Sequence, residues 1–419
     1  MSSYTYPFTQ ANGALPSPWV DYTSPGLTVV SNAAVAASAN TFTMSAHPTA
    51  VDTDDFRIVI TVGPMTESDQ RVFSYIRTDS GGSNYIGTTF NDNTTWEIVY
   101  NSGGGDVSVA TTPAGVDFTA ADTLVVAAIG RMVRMYKNGI SQLTWIDGTG
   151  ASNKGSSYRC VLMGASAGET NKGIDAVTIE DIPPTGITIQ GGATAAITTS
   201  RSPSVTFTGY VPRIGDVVLL WPSSTTTAQT ITEPSGWINP LGAGVDVESD
   251  AHQICCVYHI VTPAEESGVT TTYTATNLYG ATTTGNVSGV VVRGVNPANP
   301  IDSANSTFDS TNTVTPHVLA SLTGSNLSTG SMVFSCVAKD GTGAYATLPS
   351  GWVFVNTSNT NQGKALLMLD ALTTAGSNVA ATNITPSGGD EYASITVALN
   401  KLPIVSSNDS VAVTRAAFY

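Results

Sequence analysis

Charged residues are scarce in this chain, and basic residues are scarcer than acidic ones. Only 11% of the 419 residues are Asp, Glu, Lys or Arg, and 16 basic against 31 acidic side chains leave a net charge of −15. Globular proteins usually carry about 25% charged residues. Because phosphate backbones attract basic surfaces, this balance excludes nucleic acid as an expected partner.

Long apolar runs and dense cysteine spacing are also missing. No run approaches the roughly 18 residues of a membrane span, and the N-terminal segment has neither the basic nor the apolar region of a signal peptide. We therefore expect synthesis in a cytoplasm and no membrane insertion. The cysteines are too few for a disulfide scaffold and predict buried free thiols at Cys160, Cys255, Cys256 and Cys336.

Helical patterns are the third deficit, since no convincing 3.6-residue periodicity extends beyond about ten residues. Thr, Ser, Gly, Asn and Val are abundant instead, and this composition favours strands and turns. The length suits about two to four domains. The sequence therefore predicts an all-β protein of several parts.

One tetrapeptide, Pro-Ser-Gly-Trp, occurs twice, ending at Trp237 and again at Trp352. At the same spacing, the strand-like run that begins at Gly215 falls on the run that begins at Gly330. We interpret this as an internal duplication, with copies at residues 187–302 and 303–403. With small deletions, further segments align: His252 to Tyr258 with Lys364 to Asp370, and Val287 to Val292 with Tyr392 to Val397.

The shared tetrapeptide predicts a turn that delivers a large side chain into a core. Proline restricts one φ angle and glycine permits a positive one, so the tryptophan can enter the next strand pointing inward. A sugar-stacking role on the surface is the alternative for Trp237 and Trp352.

Three motifs mark residues 1–182 as a separate β domain. They are an aromatic, Asn-Gly and Trp pattern from Phe8 to Trp19, a Tyr-x-Asn-Gly hairpin from Arg134 to Gly139, and an alternating strand from Gly173 to Ile179. In this order they resemble the concanavalin A-like, or laminin-G-like, jelly-roll family. The resemblance implies a two-sheet sandwich with a concave face that in many relatives holds glycan or peptide.

The remainder, after the boundary at Pro183 and Pro184, resembles a second family. The Gly-Asp-Val-Val strand, the Pro-Ser-Gly-Trp turn and the run from Arg293 to Asp302 are similar to a duplicated β-sandwich module of minor tail and other surface proteins of tailed bacteriophages. In those proteins a concanavalin-like domain is commonly joined to such modules. The resemblance implies an N-terminal jelly roll followed by two related β-sandwich domains, with no catalytic group in the motifs.

The sequence shows few arrangements of residues typical of catalytic sites, and we expect that the protein is not an enzyme. H-E-x-x-H does not occur, we expect no G-x-S-x-G nucleophile elbow for an acyl-transfer serine, and we expect the histidines to be ordinary surface or strand-end residues. A glycosidase would need two carboxylates about 5–10 Å apart. The nearest candidates are Glu97 and Asp175, and no family catalytic motif surrounds either.

Two kinds of ligand site stay open. An acidic loop formed by Asp52, Asp54 and Asp55 could hold Ca²⁺ through oxygen ligands, although a solvated loop cap is the favoured interpretation. Glycan binding would need aromatic platforms beside amides such as Asn101, and most of the candidate rings should lie in the core. The aromatic candidates are Tyr85, Trp96, Tyr100, Tyr136 and Trp145.

These observations favour a non-enzymatic virion surface protein of a tailed phage, and foremost a minor tail protein that contacts a glycan or protein of the host envelope. A capsid-attached decoration or head-fibre protein is the first alternative, and a carbohydrate-active enzyme with accessory sandwiches is the second. Other virion proteins are expected partners, and homo-oligomerisation is open. Residues 404–419 form a tail that could be frayed or could add a strand to a partner.

Overall fold

The computed structural model describes residues 3–402, with gaps, so the tail at 404–419 lies outside the described residues. The gaps within this range are residues 24, 37–40, 49–50, 64–70, 81, 93–94, 113–117, 148–155, 168–172, 183–185, 227–228, 249–251, 311–315, 342, 360–361, 371–372 and 387–390.

The N-terminal part is built from two antiparallel sheets, one of nine strands and one of seven. Its strands are β1 Ser3–Tyr6, β2 Gly13–Ala14, β3 Val20–Asp21, β4 Thr28–Val30, β5 Ala33–Val35, β6 Thr41–His47, β7 Phe56–Val62, β8 Arg71–Thr78, β9 Asn84–Asp92, β10 Thr95–Ser102, β11 Val107–Thr111, β12 Thr123–Ile129, β13 Met132–Lys137, β14 Ile140–Ile146, β15 Cys160–Ala167 and β16 Gly173–Asp181. The nine-stranded sheet runs β14-β13-β12-β7-β16-β5-β4-β2, with β1 also paired to β16, and the N-terminal seven-stranded sheet runs β11-β10-β9-β8-β15-β6-β3.

Alternation of apolar and polar residues explains how these sheets face each other. In β7 the side chains of Phe56, Ile58 and Ile60 are fully buried, while Arg57 between them is exposed. The hairpin between β13 and β14 turns at Asn138 and Gly139, whose φ angles of 51° and 77° are those a type I′ turn requires. One continuous apolar core therefore fills the space between the two sheets.

The rest of the described chain forms two larger sheets and several small ones. Its strands are β17 Thr188–Ser200, β18 Ser204–Thr206, β19 Val217–Ser224, β20 Trp237–Ile238, β21 Val247–Glu248, β22 Gln253–Ile254, β23 Val257–Ile260, β24 Thr272–Thr274, β25 Thr283–Arg293, β26 Ile301–Asp309, β27 His317–Leu319, β28 Leu322–Leu327, β29 Met332–Lys339, β30 Tyr345–Thr347, β31 Trp352–Ser358, β32 Gly363–Leu369, β33 Ser377–Val379, β34 Thr382–Pro386 and β35 Tyr392–Leu399. The described residues contain one short α-helix, α1 Pro263–Ser267, and one 3-10 turn at Ser156–Tyr158.

The two larger sheets share a strand order. We call the first large sheet β17-β25-β19 with β20–β23, and the second large sheet β26-β35-β29-β32-β31. In each, the first strand carries a bulge after its opening residues, between Ile189 and Gly191 and between Ile301 and Ser303. The prediction of an all-β chain, with an N-terminal jelly-roll sandwich and two further sandwich parts, is confirmed by these sheets. The exact domain boundaries stay a prediction.

Strand pairing corrects the alignment of the two copies. Leu219 pairs with Tyr258, and its equivalent Phe334 pairs with Met368, whereas the sequence alignment sets Met368 against Cys256. The alignment of the last strands is displaced by the same amount, two residues. Because side chains alternate with period two, the displaced alignment still assigned each side chain to the correct face.

The two large sheets pack against each other. Between them lies the inter-sheet core, which includes Leu219, Trp221 and Val290 from the first sheet and Phe334 and Ile395 from the second. The opposite face of each sheet is covered by small sheets, over a first outer core and a second outer core. Each large sheet is therefore buried on both faces.

The repeated turn has the same geometry in both copies. Gly236 and Gly351 have φ angles of 80° and 79°. The amide of Trp237 donates to the carbonyl of Pro234 at 2.9 Å, as that of Trp352 does to Pro349 at 3.1 Å. Trp237 packs into the first outer core and Trp352 into the second. A sugar-stacking face is thus not available on either ring.

The four cysteines and three of the four histidines are buried. All four cysteines are buried free thiols, and Cys255 and Cys256 point to opposite faces of the first large sheet. His47 and His317 are strand-end residues, as expected, but together with His252 they are at most 1% exposed, so the expectation of a surface position is wrong for these three. Their rings lie against tyrosine hydroxyls or a carbonyl oxygen, and such hydrogen bonds let a neutral imidazole stay buried.

In the part of the chain that is described, no helix is long and apolar enough to span a bilayer.

Candidate functional site

The outer face of the N-terminal seven-stranded sheet carries a second apolar cluster. Side chains alternate along each strand, so while Ile98 of β10 faces the main core, its neighbour Val99 faces outward. There Val99 joins Phe73, Tyr75 and Leu162, with Tyr85 packed against them. The rings of Phe73 and Tyr75 are buried, so the half-buried ring of Tyr85 is the part of this cluster on which a flat or polyhydroxylated ligand could rest.

Polar groups surround the ring of Tyr85 on this face. Its hydroxyl donates to the carboxylate of Asp106, and the side-chain amide of Asn101 reaches Oδ1 of Asp106 at 3.3 Å. The ring of Tyr75 lies 4.3 Å from that of Tyr85, between centroids. We call these four residues, Tyr75, Tyr85, Asn101 and Asp106, the Tyr85 cluster.

Local structure holds the Tyr85 cluster in place. Asn101 of β10 stands directly opposite Tyr85 of β9 in the antiparallel register. Oδ1 of Asn101 accepts the amide of Gly103 at 2.7 Å, which turns the chain toward Asp106. Burial and the hydrogen bond to Asp106 raise the pKa of Tyr85 to about 12, so the phenol keeps its proton and acts as the donor.

The chemistry of the cluster suits hydrogen bonding rather than acid–base catalysis. It offers a half-buried ring, a carboxylate acceptor and an amide that can both donate and accept. Glu97 lies on the same face but is 7% exposed, whereas Asp175 lies in β16 of the nine-stranded sheet. The two carboxylates considered as a glycosidase pair therefore belong to different sheets and do not face each other across one cleft.

The other aromatic candidates lie elsewhere. Trp96 is 6% exposed and packs on Phe118 in the main core. Tyr100 and Trp145 stack 5.9 Å apart against that core, and Tyr136 lies beside Arg134 on the outer side of the nine-stranded sheet. Of the five predicted rings, Tyr85 is thus the one that the structure brings together with an amide and a carboxylate.

Sequence reasoning named Tyr85 and Asn101 but missed Tyr75 and Asp106. Tyr75 stands opposite Gly87 on the neighbouring strand, where a Cβ would lie 2.6 Å from the Tyr75 Cα, so the glycine allows close approach. Asp106 follows three consecutive glycines, and only the hairpin between β10 and β11 brings it back to Tyr85. A carboxylate directly after a glycine run was the available signal.

Arginine side chains pair with carboxylates of the acidic loop. Oδ1 of Asp54 accepts Nε of Arg159 at 2.9 Å, and Oδ1 of Asp55 accepts the amide of Gly130 at 2.8 Å and Nη2 of Arg77 at 3.3 Å. The amide of Asp52 donates to the Asp181 carboxylate at 3.3 Å. Among the described residues, no group of three or more His, Cys, Asp and Glu side chains could hold a metal ion. The carboxylates of Asp54 and Asp55 therefore have partners within the protein.

A larger cleft of about 840 Å³ lies where the N-terminal part meets the first large sheet. None of the described residues that line it is aromatic, so they offer no stacking platform. Its lining residues are Thr53, Asp54, Asp55, Ile182, Gly186, Thr188, Gln190, Gly209, Val211, Arg213, Ile214, Gly215, Asp216, Arg293, Gly294, Val295, Pro297 and Leu402.

Comparison with known proteins locates one matching family. Residues 27–185 match the model of a domain of unknown function, DUF7257. This match includes strands β4 to β16 of the N-terminal sandwich and every residue of the Tyr85 cluster. No curated protein matches the chain.

Solved structures similar to this chain include several β-sandwiches. The carbohydrate-binding module CBM66 from Bacillus subtilis is 12% identical, with 39% of this chain and 92% of that chain covered and a TM-score of 0.27. A Bacillus licheniformis β-glucanase is 13% identical, with 43% and 99% covered and a TM-score of 0.31. A Bacillus subtilis protein of unknown function with a galectin-like fold is 12% identical, with 42% and 91% covered and a TM-score of 0.31. Likenesses this distant carry no conclusion about ligand or activity.

Proposed function

We propose that this chain is a non-enzymatic surface protein of a tailed-phage virion, a minor tail protein that binds a glycan of the host envelope through the Tyr85 cluster. The observation that carries the binding role is the grouping of Tyr85, Asn101 and Asp106 on one outward face. The virion assignment rests on the sequence resemblance of most of residues 200–403 to tail-protein modules.

The cluster has the groups that neutral sugars require. A sugar ring presents C–H faces to an aromatic ring and hydroxyls to carboxylates and amides, and both kinds of partner are present. The carboxylate of Asp106 would repel acidic sugars, so we expect neutral glycans to bind. The abundance of paired strands and the low charge suit a rigid protein displayed outside a cell.

Glycan binding is tested by array and titration calorimetry with the whole chain. Tyr85→Ala should weaken binding of a neutral oligosaccharide at least tenfold, because a stacking ring and its hydroxyl are both lost. Tyr136→Ala is the matched control, since that ring lies on the outer side of the other sheet, and it should bind like the wild type. Equal binding by both variants would refute the proposed site.

Location is tested by immunogold electron microscopy of purified particles. Gold at the tail tip supports a minor tail protein, whereas gold over the head would favour a capsid decoration or head fibre. Absence of label from particles, together with release of reducing ends from host polysaccharide by the purified chain, would favour the enzyme alternative.

A further inference from the structure

A further tyrosine, Tyr22, lies beside the Tyr85 cluster. It directly follows β3, and its amide and that of Thr23 both donate to the carbonyl of Met44 on β6, at 3.1 and 3.2 Å. Met44 packs against the same outer apolar cluster as Tyr85. The backbone at Tyr22 is therefore fixed next to the face that carries the proposed glycan site.

A glycine in the turn between β8 and β9 gives the ring of Tyr22 its position. The Tyr22 hydroxyl donates to the carbonyl of Gly82 at 3.0 Å, and a Cβ at position 82 would lie 2.1 Å from Cε2 of the ring. The φ angle of Gly82, 63°, also favours glycine. Asp79 fixes this turn, because its Oδ1 accepts the amide of Ser83 at 2.8 Å and its carbonyl accepts that of Gly82 at 3.0 Å. The ring of Tyr22 therefore lies against the turn that leads into the strand of Tyr85.

The phenols of Tyr22, Tyr75 and Tyr85 lie close together. Burial is the main reason why the pKa values of Tyr75 and Tyr85 are raised, and the nearby phenol of Tyr22 contributes to both. Tyr75 is buried, whereas Tyr22 is 37% exposed and Tyr85 is half-buried. Two neighbouring rings, those of Tyr22 and Tyr85, are thus accessible to a ligand.

We propose that Tyr22 is a second sugar platform, and that the site takes two or more linked neutral sugar units, one against Tyr85 and the next against Tyr22. This inference rests on the glycan-binding role proposed for the Tyr85 cluster. Each ring offers a face to the C–H groups of one sugar, and the oxygen of the Tyr22 hydroxyl can accept a hydrogen bond while its proton is donated to Gly82. A single sugar would contact only one of the two rings, so the length of the glycan becomes part of the specificity.

The restraint on the Tyr22 ring favours a binding platform. An aromatic ring that is already held in place loses little conformational entropy when a ligand packs on it. The hydrogen bond to Gly82 and the missing Cβ at that position supply this restraint. The ring provides the contact area and the hydroxyl mainly its orientation, so removal of the hydroxyl should cost less affinity than removal of the ring.

The test is titration calorimetry of the full chain with N-acetylglucosamine oligomers and with neutral gluco-oligosaccharides of one to four units. We define the length gain as the affinity for the tetrasaccharide divided by the affinity for the monosaccharide. The wild type should show a length gain of about tenfold, the contribution expected of one added stacking ring. Tyr22→Ala should reduce the length gain to about one, while the affinity for the monosaccharide stays at the wild-type value.

Three further variants separate a platform from a structural role. Tyr22→Phe keeps the ring and should keep the length gain, whereas a role limited to fixing the turn through the hydroxyl would make it behave like Tyr22→Ala. Phe308→Ala is the matched control, because Phe308 is 57% exposed on β26 of the second large sheet, and it should bind like the wild type. Tyr85→Ala should weaken binding of oligomers of every length.

The outcomes distinguish failure of this inference from failure of the proposed function. If Tyr85→Ala weakens binding but Tyr22→Ala keeps the length gain, the second platform is overturned and the glycan site stands. Equal loss of monosaccharide and tetrasaccharide affinity in Tyr22→Ala would show a structural role and would also overturn the inference. If Tyr85→Ala binds like the wild type, or if the wild type binds none of the probes, the proposed site is refuted and the second platform with it.

Discussion

Replacement of Trp237 by alanine should destabilise the first outer core selectively. The side chain is 7% exposed, and its ring lies 5.3 Å from that of His259, between centroids. An aromatic side chain buries on the order of 200 Å², which at about 25 cal/mol per Å² is about 5 kcal/mol. A partly collapsed unfolded chain reduces this by roughly 10–40%, so we expect a loss of about 3–5 kcal/mol.

The assay is urea unfolding of the full chain, followed by far-UV circular dichroism. Trp237→Phe is the matched control, because it keeps an aromatic ring and should cost clearly less than alanine. Trp352→Ala should cost a similar amount through the second outer core, since its turn has the same geometry and its ring is 5% exposed. An unfolding midpoint for Trp237→Ala equal to that of the wild type would refute the inference that this tryptophan supports a core.

Two electrostatic predictions follow from the N-terminal sandwich. Hydrogen bonds from Asn138 and Thr119 outweigh burial and lower the pKa of Asp122 to about 2. Asp122→Asn should therefore cost on the order of 1 kcal/mol at pH 7, a difference from wild type that shrinks as pH falls from 4 to 2 in urea titrations. Asp370, paired with Arg134 at 2.8 Å, joins the second large sheet to β13, so Asp370→Ala should lower stability by about 1–3 kcal/mol, and by less in high salt. Identical salt dependence in wild type and variant would contradict this second inference.

Local sequence signals predicted the turns and strands well because their physics is local. The Asn138-Gly139 pair requires positive φ angles, and the two Pro-Ser-Gly-Trp turns adopt the same conformation 115 residues apart. Alternation in strands such as β7 identified the face that is buried. Residue-level register was less accurate, because small deletions between the copies can be placed two residues away without moving any side chain to the other face.

The candidate site was only partly predictable because its residues are brought together by contacts between segments that are distant in the sequence. Tyr85 and Asn101 are 16 residues apart in sequence and meet through strand pairing, and Asp106 joins them only because a glycine-rich hairpin returns the chain. From composition alone, Trp96 and Tyr85 could not be distinguished as rings on which a sugar can stack. Which of the two rings faces outward depends on their positions in adjacent strands, where a one-residue difference exchanges core and surface.

Near-continuous apolar runs in the sequence indicate that each large sheet is buried on both faces. Strands with one exposed face alternate apolar and polar residues instead. β19, β29 and β35 are buried at every position, and their sequences are nearly continuous apolar runs with a few small hydroxyl residues. Such runs are typical of strands covered on both sides, whereas an independent sandwich with one wet face alternates. Lys364 in β32 then follows from this packing, because a lysine within a doubly covered strand must find its acceptors on the facing sheet. The two large sheets, each of which has one apolar face that its own small sheets leave uncovered, thereby complete their burial by packing on one another.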